Sequence, residues 1–342
     1  MSNQTFQILK ELPTPLYRSQ GVLHKHEFLI CGGRDEKACY SYHTLKNEYK
    51  FICEYPSHVK LDGHCVVKLV DNNKDSDQIT LLSFGGECKH TLVMKYVSVW
   101  SNTLDISKKS NKINNYNQWI PFTNNHNHPI IIGRDNDNYL GVRAVIGGSN
   151  NHLLFIICYP RNISIFDLNA FQFIKHDTLP ANFIRGHCFV SKSENEQGQE
   201  MMKKNKQNYE MLLFCRKTGL SIEYDENNNN FQFHQLPVCK DIAPFNGYAY
   251  VYINDVILFF GGCNWICSVI STSVHKYSIR EKKWITFKNV LPIPLCDCFV
   301  TLNNDNNYIY IIGGYNDGDV ISTNMKMRLS ELICHIQVSF LL

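Results

Sequence analysis

Cysteine and histidine are the residues of this chain best able to do chemistry, so their spacing is tested first. Cys296 and Cys298 flank an aspartate, and Cys263 and Cys267 are separated by three residues. Either pair could supply half of a tetrahedral zinc site, but no second pair follows at ligand spacing. His24/His26 and His126/His128 are His-x-His pairs of the kind that strands and loops ordinarily leave solvated. "DNNKDSD" (71–77) opens like a calcium loop. Its sixth position is Ser76 where glycine is needed, and its twelfth is Leu82 where glutamate is needed. The chain has no Walker loop, no GxSxG and no HExxH. No metal, no cofactor and no catalytic residue is therefore expected, and the chemistry to be explained is that of binding.

Composition narrows the class further. The chain has 342 residues, 44% hydrophobic and 19% charged, enough for a large core and too apolar for global disorder. A formal charge of +3 gives no electrostatic reason to expect nucleic acid. No apolar run reaches the length of a membrane helix, and "MSNQTFQILKELPTP" has neither the basic nor the apolar region of a signal peptide. The 14 cysteines are spread along a long chain, which reads as reduced thiols in a cytoplasmic protein. The expectation is a monomer with a protein partner, no nucleic acid and no membrane.

The elements that would carry a binding surface repeat. "EFLICGG" (27–33), "TLLSFGG" (80–86), "VILFFGG" (256–262) and "YIYIIGG" (308–314) are each an apolar strand closed by two glycines. Their second glycines fall at 33, 86, 262 and 314, so neighbours stand 53 and 52 residues apart. The wide middle gap holds two more units, "ICYPRNISIFDLNAFQFIKHDTLP" (157–180) and "FCRKTGLSIEYDENNNNFQFHQLP" (214–237). There Cys158-Tyr159 and Cys215-Arg216 replace the glycine pair. Gly147-Gly148 lies too close to the next strand and reads as a turn.

Downstream, an aromatic is followed seven positions later by another: Tyr42 and Tyr49, Tyr224 and Phe231, Tyr277 and Trp284. In the second unit the pair reads as Tyr96 and Trp119, with a polar insertion between them. In the third, Phe166 precedes Phe171 or Phe173. The first strands align a column of small residues: Gly21, Cys65, Ala144, Cys188, Ala249 and Cys298. Strand-like segments of period two, about four per unit and bounded by Asn/Asp/Gly turns, give an all-β chain. Six four-stranded antiparallel sheets at a period near 50 make a six-bladed β-propeller, one domain spanning 1–342. The sixth unit lacks its last strand, and "FQIL" (6–9) reads like one, so the N-terminal strand is expected to close the ring. The apolar tail "CHIQVSFLL" competes for that place.

These units resemble the kelch repeat. Its apolar run, glycine pair and spaced Tyr and Trp stand most completely at Gly261, Gly262, Tyr277 and Trp284. Gly32 and Gly33, Gly85 and Gly86, and Gly313 and Gly314 supply the other pairs. The third and fourth units depart from the pattern. The resemblance implies a protein-binding or scaffold module whose partner meets one face, built from loops after the second strands and between blades. Those loops carry Arg34, Glu87, Arg161, Arg216, Trp265 and Tyr315, and between blades His64, His187 and Tyr248. Kelch-like enzymes, such as galactose oxidase or sialic acid mutarotases, are the alternative the resemblance brings with it.

Overall fold

Alternating apolar and polar residues pair into antiparallel ladders, and each repeat unit becomes one sheet. The computed structural model describes residues 6–70, 78–101, 115–192, 208–288 and 290–332. The chain starts with β1 (Gln7–Ile8). Blade I is then β2 (Gln20–His24), β3 (Glu27–Gly33), β4 (Glu36–His43) and β5 (Glu48–Glu54). Blade II is β6 (His64–Leu69), β7 (Gln78–Gly85), β8 (His90–Val97) and β9 (Ile120–Pro121). Blade III is β10 (Asn138–Gly147), β11 (Leu153–Tyr159), β12 (Asn162–Asp167) and β13 (Gln172–Thr178). Blade IV is β14 (Cys188–Ser191), β15 (Asn208–Cys215), β16 (Thr218–Asp225) and β17 (Asn230–Gln235).

Blade V is β18 (Ala249–Ile253) and β19 (Val256–Phe260), a small hairpin β20 (Cys263–Asn264) and β21 (Val269–Ile270), then β22 (Val274–Ser278) and β23 (Lys283–Phe287). Blade VI is β24 (Phe299–Leu302) and β25 (Tyr308–Ile312), the hairpin β26 (Tyr315–Asn316) and β27 (Asp319–Val320), then β28 (Asn324–Arg328). Its fourth strand is β1, paired Gln7 to Lys326 and Ile8 to Met325. The six-bladed propeller is thus closed by the N-terminal strand, as the sequence predicts. The competing tail and the segments 71–77 and 193–207 lie outside the described residues, as does most of the polar insertion of the second unit.

The second strand of each blade is buried on both sides, which is why it reads as a continuous apolar run. The residue just before the glycine pair packs toward the following blade, and the one before that toward the preceding blade. Cys31 lies in the core between blades I and II, while Ile30 lies in the core between VI and I. The same split recurs at Phe260 and Phe259. The paired aromatics sit directly opposite across β4–β5, β16–β17 and β22–β23, because a four-residue hairpin turn places positions i and i+7 face to face. Tyr277 and Trp284 have ring centroids 4.9 Å apart. In blade III the partner of Phe166 is Phe173, at the same spacing of seven, and a bulge follows at Ile174. Blade II corrects the expectation: Trp119 stacks on Tyr55 at 4.7 Å, not on Tyr96, because β9 pairs with β8 only at Leu92 and Val93.

The small-residue column also needs correction. Opposite the residue before each glycine pair stand Gln20, Cys65, Arg143, Cys188, Ala249 and Phe299. Gly21, Ala144 and Cys298 are each one residue out of that register. A slip of one residue turns a side chain to the opposite face of its strand. An arginine and a phenylalanine therefore face where small residues were expected.

The glycine pairs end the strands because loops from elsewhere in the ring press on them. At Gly261 φ is +63°, and a Cβ would lie 2.0 Å from the carbonyl oxygen of Leu295. The amide of Gly262 donates to that same oxygen at 2.8 Å. Gly261→Val is expected to cost more than about 4 kcal/mol, through backbone strain plus a clash with a carbonyl that is itself bonded. Gly318→Ala, in an open turn at φ +103° with nothing within 4 Å of a Cβ, should cost only about 1–2 kcal/mol. Thermal melts of the two variants check the contrast, and equal losses would contradict it.

Candidate functional site

Each blade has a left-handed residue at the start of its first strand, Arg18, Gly63, Gly186, Gly247 and Asp297 just before it and Gly141 within the irregular start of β10, with φ between 51° and 76°. These six positions ring one end of the central channel. Neighbouring turns bond through their backbones, Gly141 to Gly63 at 2.9 Å, Gly247 to Gly186 at 2.9 Å, Asp297 to Gly247 at 2.7 Å and Arg18 to Asp297 at 2.8 Å. The ring narrows the channel to a mouth of about 30 Å³, behind which a cavity of about 470 Å³ runs between the first strands.

The glycine-pair ends and the interblade loops open on this same face, so it gathers side chains from all six blades. Arg18 lies across the mouth, its Nε donating to Asp297 at 3.0 Å and its Nη1 to Asp62 at 2.7 Å. Burial works against its charge, but Asp297 and Asp62 more than offset this and hold the guanidinium protonated above its usual range. Arg34 reaches Asp62 at 3.6 Å and lies 5.7 Å from the Tyr17 ring centroid. Tyr17 in turn lies 5.9 Å from Tyr315, and Tyr315 5.9 Å from Trp265. Trp265 is 49% exposed, with Ile266 (87%) and Val269 (46%) on the same hairpin. Across the mouth, Tyr159 and Phe183 stack at 5.7 Å, Phe183 being 72% exposed.

Of the expected partner-binding residues, Arg34, Trp265 and Tyr315 meet as one ledge contributed by blades I, V and VI. Glu87 and Arg161 are exposed on other loops of the face, Glu87 within 3.4 Å of Lys60. Arg216 is half-buried there at φ +50°. His64, His187 and Tyr248 do not belong to the surface. His64 is fully buried, with Nε2 at 2.9 Å from the carbonyl oxygen of Cys31. Burial lowers its pKa to about 4, and burial near Arg143 pushes that of His187 well down. Tyr248 is buried and donates its hydroxyl to the carbonyl of Phe214 at 2.8 Å. These three brace the first strands.

Tyr17 and Arg143 join the site without having been expected in it. Arg143 was legible as the one cation in the first-strand column, had that column been aligned from the glycine pairs. Cys263 and Cys296, one from each cysteine pair, lie within side-chain contact of each other, but the remaining members of the cysteine and histidine pairs do not join them. Cys263 is buried and Cys267 exposed, His24 is buried and His26 exposed. Among the described residues no three His, Cys, Asp or Glu side chains group so as to hold a metal.

No protein-family profile and no curated protein matches this chain. Among solved structures 1107 chains resemble it, so the architecture is widely shared and selects no activity. One of them, "Structure of YjhT", is similar over 93% of this chain and 96% of its own, with a TM-score of 0.60 and 14% sequence identity. At that identity the likeness concerns the six-bladed fold alone.

Proposed function

We propose that the protein is a kelch-type binding module that docks another protein on the face carrying the channel mouth. The observation behind this reading is the ledge Trp265–Tyr315–Tyr17–Arg34, in which exposed Trp265 and Arg34 flank two half-buried tyrosines, residue types that most often anchor protein interfaces. The stacked pair Tyr159/Phe183 adds a second aromatic pad, with Phe183 exposed. The reading is non-catalytic. Arg18 and its two aspartates are tied up in ion pairs, and burial holds His64 and His187 neutral near pH 7, away from any surface. A cytoplasmic setting belongs to the same proposal. Among the described residues no helix is long and apolar enough to cross a membrane.

Affinity capture from a native lysate tests it, comparing wild type with Trp265→Ala, Tyr315→Ala and, as control, Phe51→Ala, an exposed side chain on β5. A partner held by wild type and by the Phe51 variant, and reduced about tenfold or more by either ledge variant, is expected. Equal capture by all four proteins would remove the ledge from the function.

A further inference from the structure

Sulfur atoms from two blades meet in the core between blades I and II. Cys31, Cys39 and Cys53 stand directly opposite one another across β3, β4 and β5. Residues paired in this way project from the same face of the sheet, with Cβ atoms about 5 Å apart. The Cys39 sulfur lies within side-chain contact of both neighbours. From blade II the thioether of Met94 reaches the Cys53 sulfur at 3.7 Å. Trp119 donates its indole N–H to the Cys39 sulfur at 3.3 Å. Cys31, Cys39 and Met94 are fully buried among Leu29, Leu81 and Tyr55. Cys53 is half-buried on β5, the outermost strand of its blade, and is the side from which an ion would enter. All three thiols are free. Burial holds the Cys39 thiol well above its ordinary range, and contact with Cys39 followed by burial does the same at Cys53. Thiols that keep their protons are poor nucleophiles, so the row is not suited to redox chemistry.

We propose that Cys39, Cys53 and Met94 form a binding site for a soft monovalent metal ion, Cu(I), which joins blade I to blade II. Thiolate and thioether sulfurs are the ligands that favour Cu(I) over harder ions. Two sulfurs bound to one ion at about 2.3 Å each stand no more than about 4.6 Å apart, and the 3.7 Å between Cys53 and Met94 lies within that span. Among the described residues no third His, Cys, Asp or Glu groups with the two thiols closely enough to hold an ion, Cys31 included, so the four-ligand shell of zinc is not on offer. The ion displaces both thiol protons to water as it binds: two S–H bonds break, two metal–sulfur bonds form, and no oxidation state changes. The Trp119 N–H then orients the Cys39 thiolate from outside the ligand set. Cys39 and Cys53 are far apart in sequence, and only the β4–β5 pairing brings them together.

The test titrates Cu(I), kept reduced under nitrogen, into the full chain against a chromogenic Cu(I) chelator. Cys334 and the exposed Cys88 and Cys267 are first changed to serine so that they do not compete. A single tightly held ion per chain is expected, and X-ray absorption should show sulfur neighbours only. Cys53→Ser should weaken binding roughly 100-fold and Met94→Leu roughly tenfold. Cys239→Ser, at a half-buried cysteine between blades IV and V, should leave binding unchanged. Zn²⁺ should bind far more weakly than Cu(I). The ion should also raise the melting temperature of the parent and not that of the Cys53 variant, because it ties β5 to β8.

Near-ultraviolet circular dichroism verifies each fold. If Cys53→Ser does not fold, Met94→Leu, which conserves side-chain volume, carries the comparison. Cu(I) held no more tightly than by free glutathione, or as tightly by either variant as by the parent, overturns the proposal. So does a ligand shell containing nitrogen or oxygen, or Zn²⁺ held as tightly as Cu(I). Recovery of Cys39 and Cys53 joined as a disulfide from a glutathione buffer, with no copper bound, also overturns it and makes the row a redox pair.

Discussion

A chain lacking residues 1–12 is expected not to yield a folded monomer. The deletion removes β1 and with it the pairing of Gln7 and Ile8 to β28. It also removes the bonds from Leu9 to Asn324 at 2.8 Å and Leu12 to Ser322 at 2.9 Å. Phe6 is buried in the core between blades V and VI, and Leu12 in the core between VI and I. Losing two such buried side chains costs about 3–6 kcal/mol. That is a large share of the roughly 5–15 kcal/mol that holds a domain together. The deletion also bares β28 as an unpaired edge, which favours aggregation. Size-exclusion chromatography and a thermal melt read the outcome, and a peptide of residues 1–16 added during refolding should restore part of the folded monomer. A truncated chain that melts like the full one would mean that the ring does not depend on its latch.

The second large effect is acid unfolding well above the pH at which carboxylates titrate. His64, His90, His187 and His275 are all buried. Burial lowers the pKa of His64 to about 4, of His90 to about 3 and of His275 to about 4, and that of His187 falls well below 6.5. Arg143 works in the same direction at His64 and His187, and the His64 ring does so at His90, whereas Asp62 and Asp241 partly oppose it at His64 and His275.

In the unfolded chain the same rings take protons near pH 6.5. Their contribution to stability is therefore complete above 6.5 and is lost as pH falls from 6.5 toward 4. At pH 5 the loss is about 2 kcal/mol for each of His64, His90 and His275, and His187 adds to it in the same direction. Denaturant titrations at pH 7.5, 6 and 5 should show a steep fall in unfolding free energy, with a slope between pH 6 and 5 equivalent to roughly four protons. A flat profile down to pH 4.5 would contradict the burial of these rings. His275→Gln should reduce the slope by about one proton, whatever it does to stability at neutral pH.

Much of this fold was legible in the chain because propeller physics repeats. A glycine pair marks the point where a loop carbonyl presses on the strand end, as Leu295 does at Gly261, and so it recurs in register. The i, i+7 aromatics recur because a hairpin turn fixes their pairing. The closing strand was legible because "VISTNMKM" (320–327) parallels "VISTSVHK" (269–276) while "FQIL" (6–9) reads like the last strand that the sixth unit needs, although the apolar tail competed for the place. The site was harder to read. Alternation says that neighbouring residues face opposite ways, but not which of them faces the core. His64, His187 and Tyr248 were therefore indistinguishable from surface residues. The same one-residue ambiguity placed Ala144 in the column where Arg143 stands. The ledge could not be assembled from sequence, because Tyr17, Trp265 and Tyr315 come from different blades and meet only when the ring closes.

That closure also decides how the molecule responds to force. Because β1 runs antiparallel to β28, the chain leading back from Gln7 and the chain leading on from Lys326 depart from the same end of the pair. A pull on the two termini peels this latch one hydrogen bond at a time instead of loading all its bonds together. Once the latch yields, blade VI keeps only the three strands β24, β25 and β28, and its sheet no longer holds the segment that leads into blade I.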